Sequence, residues 1–152
     1  MEQSFCAEGI CQSGWKWLWY SLGSYLLGHE PLRQNTYFYF SLWAYRGTYW
    51  FDEYDPRYLH LGLPRQSAQK LTNGLWQREF ERGWVVVNPT KQQQTIRVPD
   101  GKARLLEHAN FKQPETASLG DQFTIPALNG VILLKDPQPP PNSCVYLPLL
   151  NR

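Results

Sequence analysis

Leu75-Trp76-Gln77-Arg78-Glu79-Phe80-Glu81-Arg82-Gly83-Trp84-Val85-Val86-Val87-Asn88-Pro89 reads as two strands and the turn between them. Residues 75–80 alternate in character, as a strand with two different faces does. Glu81-Arg82-Gly83 offers a short turn with glycine where a positive φ is wanted. Residues 84–88 return as a second, β-branched strand, and Pro89 ends it because proline has no N–H for the ladder. Asn73-Gly74, immediately upstream, is a further turn signal.

Downstream of this hairpin the same grammar continues. Short strands are expected at residues 95–98, 103–107, 122–125 and 131–135, with Gly or Pro between them. That spacing predicts an antiparallel, sandwich-like domain. Residues 136–142 carry Pro137, Pro139, Pro140 and Pro141 and read as a polyproline-type spacer.

Upstream the period changes from two to 3.6. Trp15, Leu18, Trp19, Leu22 and Leu26 fall on one helical face, Ser13 is placed as N-cap and Gly28 as the C′ residue, and Pro31 prevents continuation. Trp17, Tyr20 and Tyr25 widen the apolar surface, so the helix expects neighbours on more than one side. Residues 35–43, Asn35 to Trp43, are continuously aromatic and apolar and predict a buried strand. A loop over residues 45–63 follows, closed by Gly62-Leu63-Pro64.

The expected fold class is therefore α+β: mainly an antiparallel β-sandwich, preceded by one helix and one strand. Three segments are drawn: residues 1–64 for the helix, strand and loop, 65–136 for the β-domain and 137–152 for the Pro-rich tail. The aromatics follow this division. All seven Trp, and 20 of the 23 aromatic residues, lie at or before Trp84.

With 152 residues the chain cannot hold a complete (β/α)₈ barrel, which needs roughly 200–250. A composition of 42% hydrophobic and 18% charged residues supports a buried core. The net charge of +2 comes from scattered cations, with no basic run of the kind that binds nucleic acid or an anionic membrane. The apolar stretches 17–28 and 34–45 are too short to span a bilayer. Met1-Glu2-Gln3-Ser4-Phe5 has no secretory n-region, so the default location is cytoplasmic. Cys6, Cys11 and Cys144 make an odd number that suggests no disulfide framework. With His29, His60 and His108 far apart, Cys6 and Cys11 yield no coherent metal-ligand set. Ser143-Cys144 has no companion His or Asp nearby, and no Gly-rich phosphate loop occurs, so no cofactor is implied.

Three stretches resemble the C-terminal end of a glycoside hydrolase-like family, in which a catalytic barrel is followed by a small β-sandwich. Tyr54-Asp55-Pro56 through Leu61-Gly62-Leu63-Pro64 is similar to the loop leaving the last barrel strand. Arg78 through Asn88-Pro89-Thr90 is similar to the hairpin opening the β-domain and is the most specific of the three. Phe123-Thr124-Ile125-Pro126-Ala127 with Gly130-Val131-Ile132-Leu133-Leu134 is similar to its closing strands. The resemblance spans residues 13–136. It implies that residues 13–28 correspond to the last-but-one barrel helix and residues 36–42 to the eighth strand of an incomplete barrel. The strands that carry the principal acid and nucleophile are absent, whereas glycoside hydrolysis needs two carboxylates about 5–9.5 Å apart. The implied partners are a carbohydrate and the missing barrel polypeptide, or an oligomer.

Asp52, Glu53 and Asp55 are the acidic cluster set among aromatics. They serve either as sugar ligands at the C-terminal face of a barrel or as turn caps and partners of Arg46 and Arg57. Trp43, Tyr45, Tyr49, Trp50 and Tyr54 either stack on sugar rings or pack between strand, loop and β-domain. The candidate substrate-binding set is Trp43, Tyr49, Trp50, Asp52, Glu53, Tyr54 and Asp55. Glu79 and Glu81 read as cross-strand or turn charges rather than a catalytic pair.

Overall fold

The structure, a computed structural model, describes residues 4–7, 9–30, 37–41, 59, 61–98, 103–105 and 122–135. Within these the chain forms β1 (Ser4–Ala7), β2 (Ile10–Ser13), α1 (Gly14–Gly28) and β3 (Gln69–Lys70). The hairpin strands are β4 (Trp76–Phe80) and β5 (Gly83–Asn88). Then come β6 (Gln94–Arg97), β7 (Ala103–Leu105), β8 (Gln122–Ile125) and β9 (Asn129–Lys135). The helix and the strands expected after residue 73 all appear, with ends shifted by a residue or two, so the α+β class is observed.

The β4–β5 hairpin sits at the middle of a five-stranded sheet of order β3-β4-β5-β9-β7, antiparallel throughout. Register sorts its side chains by face. Arg78 pairs with Val85 and Val85 with Ile132, so these three lie on one face with Phe80, Val87 and Leu134. Helix α1 packs here: Trp15, Trp19, Leu22 and Leu26 join Phe80, Val85, Val87, Ile132 and Leu134 in one buried cluster. Each such side chain contributes ~1.5–3 kcal/mol of hydrophobic stabilisation. The opposite face presents Trp84, Val86 and Leu133, which pack with Leu75 and with Ile96, Val98 and Ile125 beside and on the two-stranded ribbon β6–β8. The five-stranded sheet thus has a helix over one face and a short ribbon over the other.

Two glycines set the depth of the helix. A Cβ on Gly130 would collide with the Trp19 carbonyl, and one on Gly23 would lie 2.8 Å from Val87 Cγ2. At Gly130 backbone therefore approaches backbone, which only glycine permits, and at Gly23 the helix backbone meets a valine methyl. Gly83 also differs from expectation. Its φ is not positive; it is needed because a Cβ there would strike the Leu133 carbonyl. The positive-φ glycines among the described residues are Gly9, Gly62 and Gly74.

Three other expectations are corrected. Residues 37–41 form no strand. Tyr37 is 87% and Tyr39 56% exposed, while Phe38 packs against the helix-side cluster, so the segment is not continuously buried. Residues 35, 36, 42 and 43 of that expected strand lie outside the described residues. Second, the chain ahead of the helix, to which no element is assigned from sequence, makes a hairpin over residues 4–13 with Cys6 directly opposite Cys11. The two cysteines are disulfide-bonded, because cross-strand register brings their Cα atoms to 4.0 Å; an odd cysteine count does not preclude one local bridge. Third, Gly28 is the last helical residue rather than the C′ residue, with His29 as the C-cap; Ser13 is the N-cap as expected, without a side-chain capping bond.

Candidate functional site

The segment after α1 begins against the helix. The Tyr25 and Phe38 rings are 5.3 Å apart, and Tyr25 also stacks on His29 at 4.8 Å. Leu59 packs against the helix-side core and Leu61 is buried within it. Chain on both sides of residues 42–58 is therefore attached to the same apolar cluster. Trp43, Tyr49, Trp50, Asp52, Glu53, Tyr54 and Asp55 themselves lie outside the described residues.

From Leu61 the chain runs along the end of the hairpin. Arg82 N–H donates to Leu61 O and Glu81 N–H to Leu63 O, both at 3.0 Å, and Arg65 N–H donates to Glu79 O at 2.9 Å. Gly62, at φ 73°, lets the Leu63 N–H reach Glu81 Oε2 at 3.1 Å. These contacts use the hairpin motif to hold the exit of the acidic-aromatic segment against the sheet.

Arg78 performs a second attachment. Its guanidinium lies on the helix-facing side of β4 and is only 3% exposed. Nη1 donates to Leu26 O at 3.1 Å, Leu27 O at 3.2 Å and His29 O at 2.6 Å, and Nε donates to Gln66 O at 2.8 Å. The last carbonyls of a helix have no partners of their own and carry partial negative charge. Helix α1 has no basic residue in its last turn; the cation comes from the sheet. Glu30 Oε1 accepts from Nη2 at 3.3 Å on the wet side.

Asn88 is the corresponding hub at the other end of β5. It is fully buried; Nδ2 donates to Gln92 O, Ile125 O and Pro126 O at 2.7–3.1 Å. Its Oδ1 accepts from Thr90 N–H at 3.0 Å and Thr90 Oγ1 at 2.7 Å. One carboxamide thereby joins the end of β5 to the β8–β9 turn.

The described carboxylates have structural partners. Glu79 Oε1 accepts from Lys135 Nζ at 2.7 Å and lies 3.8 Å from Arg65 Nη1. Glu81 holds the Leu63 N–H and Glu30 meets Arg78. Glu79 is cross-strand and Glu81 sits in the turn, as their positions in the hairpin indicate. Among the described residues no group of three or more His, Cys, Asp or Glu converges as a metal site. Also among them, no helix is long and apolar enough to cross a membrane.

Arg78 and Asn88 escaped the sequence reading. The available signal was the alternation itself, which places Arg78 on the same face as Phe80, where a charge must find a buried partner.

No protein-family model, no curated protein and no solved structure matches the chain.

Proposed function

We propose that this chain is the C-terminal portion of a glycoside hydrolase-like protein, one that contacts carbohydrate without hydrolysing it alone. The observation that supports the reading is Arg78. This residue opens the most specific stretch of the family resemblance, and it reaches back to cap the helix that the resemblance assigns to the barrel's end. Helix and β-domain then act as one support, and the segment bearing Trp43, Tyr49, Trp50, Asp52, Glu53, Tyr54 and Asp55 is attached to it at both ends. Aromatic faces on such a support suit the apolar C–H surface of sugar rings, and carboxylates suit their hydroxyls. The chain lacks the barrel strands that carry the acid and nucleophile of the resembling family, so no autonomous turnover is expected. Incubation of the full chain with glucan and galactan oligosaccharides, followed by chromatography of the products, tests this. Release of shorter saccharides would refute the non-autonomous reading.

A second reading, an accessory β-domain that needs a partner chain, is favoured by the exposure of Tyr37, Tyr39 and Leu63, the last 58% exposed. It predicts self-association of the isolated chain in size-exclusion chromatography and a monodisperse complex when a barrel polypeptide is supplied. A stable, dilute-to-concentrated monomer counts against it.

A further inference from the structure

Among the described residues, β1 and β2 pair only with each other, and none of their described side chains belongs to either buried cluster. A lone two-stranded hairpin is marginally stable at best in water, and this one has four residues in each strand. The Cys6–Cys11 bridge closes it, between directly opposed positions. Their Cα separation of 4.0 Å is nearer the ~4.5 Å of a non-hydrogen-bonded cross-strand pair than the ~5.5 Å of a hydrogen-bonded one. At this row the side chains, rather than the backbone, hold the strands together.

The bridge faces solvent: Cys6 and Cys11 are both exposed. Neighbouring strand positions point to opposite faces, so Gln12 points away from the bridge. Its side chain reaches the body of the protein, where Nε2 donates to Leu128 O at 2.8 Å. One face of the hairpin thus offers a disulfide to solution while the other grips the turn between β8 and β9.

The gripped residue is in a special conformation. Leu128, at φ 46°, is the only non-glycine residue with positive φ among the described residues. A leucine enters the left-handed region only where its surroundings impose it. Here Leu128 N–H donates to Thr90 O at 3.2 Å, Thr90 Oγ1 donates to Asn88 Oδ1, and the leucine side chain is buried. The sheet therefore holds the Leu128 N–H and the hairpin holds its carbonyl. Loss of the hairpin's grip removes half of the backbone support for this conformation.

Exposed disulfides are the labile and regulatory class, whereas structural ones resist reduction. We infer that the Cys6–Cys11 bridge is a site of reversible thiol–disulfide exchange with a dithiol protein, and that its redox state sets how firmly the hairpin holds the turn at Leu128. This inference is independent of the carbohydrate reading. In the exchange, a thiolate of the partner attacks one bridge sulfur. The S–S bond breaks, a mixed disulfide forms, and the other cysteine leaves as a thiolate that takes up a proton. The partner's second thiolate then attacks the mixed disulfide, so the chain leaves as two thiols and the partner as its own disulfide. Two electrons and two protons pass to the chain. Without the bridge the short strands lose their pairing, Gln12 loses its fixed position, and the Leu128 carbonyl turns to water.

The test uses the full chain carrying Cys144→Ser, which leaves one pair of sulfurs. A catalytic amount of thioredoxin with dithiothreitol as electron source is compared with dithiothreitol alone. Thiols are counted by alkylation and mass spectrometry, and amides are followed by hydrogen exchange. Thioredoxin should speed reduction at least ~10-fold, and glutathione disulfide should close the bridge again. Reduction should raise exchange at the Leu128 amide ~10-fold while the Val85 and Ile132 amides stay protected. Cys6→Ser/Cys11→Ser should show the raised Leu128 exchange without reductant. Gln12→Ala should show it while oxidised, with no further rise on reduction. Equal reduction rates with and without thioredoxin, or a bridge that does not re-form, would overturn the exchange site. An unchanged Leu128 amide on reduction, a further rise in Gln12→Ala, or equal acceleration at Val85 and Ile132 would overturn the link to the turn.

Discussion

Arg78 Nη1 lies 2.6 Å from the carbonyl oxygen of His29, 49 positions earlier in the chain. The bond crosses from the central hairpin to the end of α1 and, with those to Leu26 and Leu27, gives the helix the positive charge its own last turn lacks. The helix docks through its apolar stripe, but the orientation of its C-terminus is set by this guanidinium.

Arg78→Ala should therefore lower unfolding free energy by about 3 kcal/mol or more, because several carbonyls lose a charged donor in a buried place. Arg78→Lys should recover only part of this, since an ammonium cannot reproduce the planar fork. Glu30→Gln should stay within about 1 kcal/mol, because the Glu30 side chain is 59% exposed. Urea unfolding of the three variants gives the comparison, and an Arg78→Ala effect no larger than that of Glu30→Gln would contradict the capping role.

Gly130→Ala should destabilise by about 1–3 kcal/mol, since the added methyl meets the Trp19 carbonyl and the helix must lift from the sheet. Gly28→Ala offers the contrast. Nothing lies within 4 Å of its built Cβ and it ends the helix, so the substitution should stabilise by about 0.4–1 kcal/mol. Thermal unfolding midpoints that move in the same direction would refute the assignment of close approach to Gly130.

Ser13 tests a different point. Its Oγ is buried without a hydrogen-bond partner among the described residues. An N-cap serine normally contributes ~1 kcal/mol through its side chain. Here Ser13→Ala should be neutral or mildly stabilising in chemical denaturation, because it removes a buried unsatisfied hydroxyl. A loss of 1 kcal/mol or more would show that the side chain caps the helix in solution.

The extent to which the fold was legible follows from the range of the interactions. The helix could be read from Trp15, Leu18, Trp19, Leu22 and Leu26, because its period is local and all five are buried as the spacing predicts. Strands β4, β5, β8 and β9 could be read from alternation, β-branched runs and turn residues, all features of neighbouring positions. The hairpin β1–β2 could not, since its order depends on a disulfide and on Gln12 Nε2 donating to Leu128 O at 2.8 Å, 116 positions away. Residues 37–41 misled for the opposite reason. Aromatic content satisfies strand propensity, but propensity names no pairing partner, and Tyr37 and Tyr39 turn outward. The role of Gly83 was assigned to φ because a turn was in view, whereas the neighbour that demands glycine, Leu133, is 50 positions downstream. The candidate sugar-contacting residues were chosen by chemistry alone, from an acidic cluster among aromatics.

Reduction of the Cys6–Cys11 bridge should loosen the N-terminal hairpin more than the sheet. The bridge closes a loop with a sequence separation of 5, for which chain entropy gives about 2 kcal/mol. Hydrogen exchange with and without dithiothreitol should show faster exchange in residues 4–13 and little change in β5 and β9. Equal acceleration across the sheet would mean that the hairpin and sheet unfold as one unit.

The central claim, a helix-braced β-domain that presents a sugar-contacting segment, is tested most directly by calorimetric titration of the full chain with glucan and galactan oligosaccharides, beside Trp50→Ala. The account predicts saturable heat of binding to at least one of these glycans, lost in Trp50→Ala, with the folded fraction unchanged by circular dichroism. No saturable binding to either glycan, or binding that Trp50→Ala leaves intact, would contradict it.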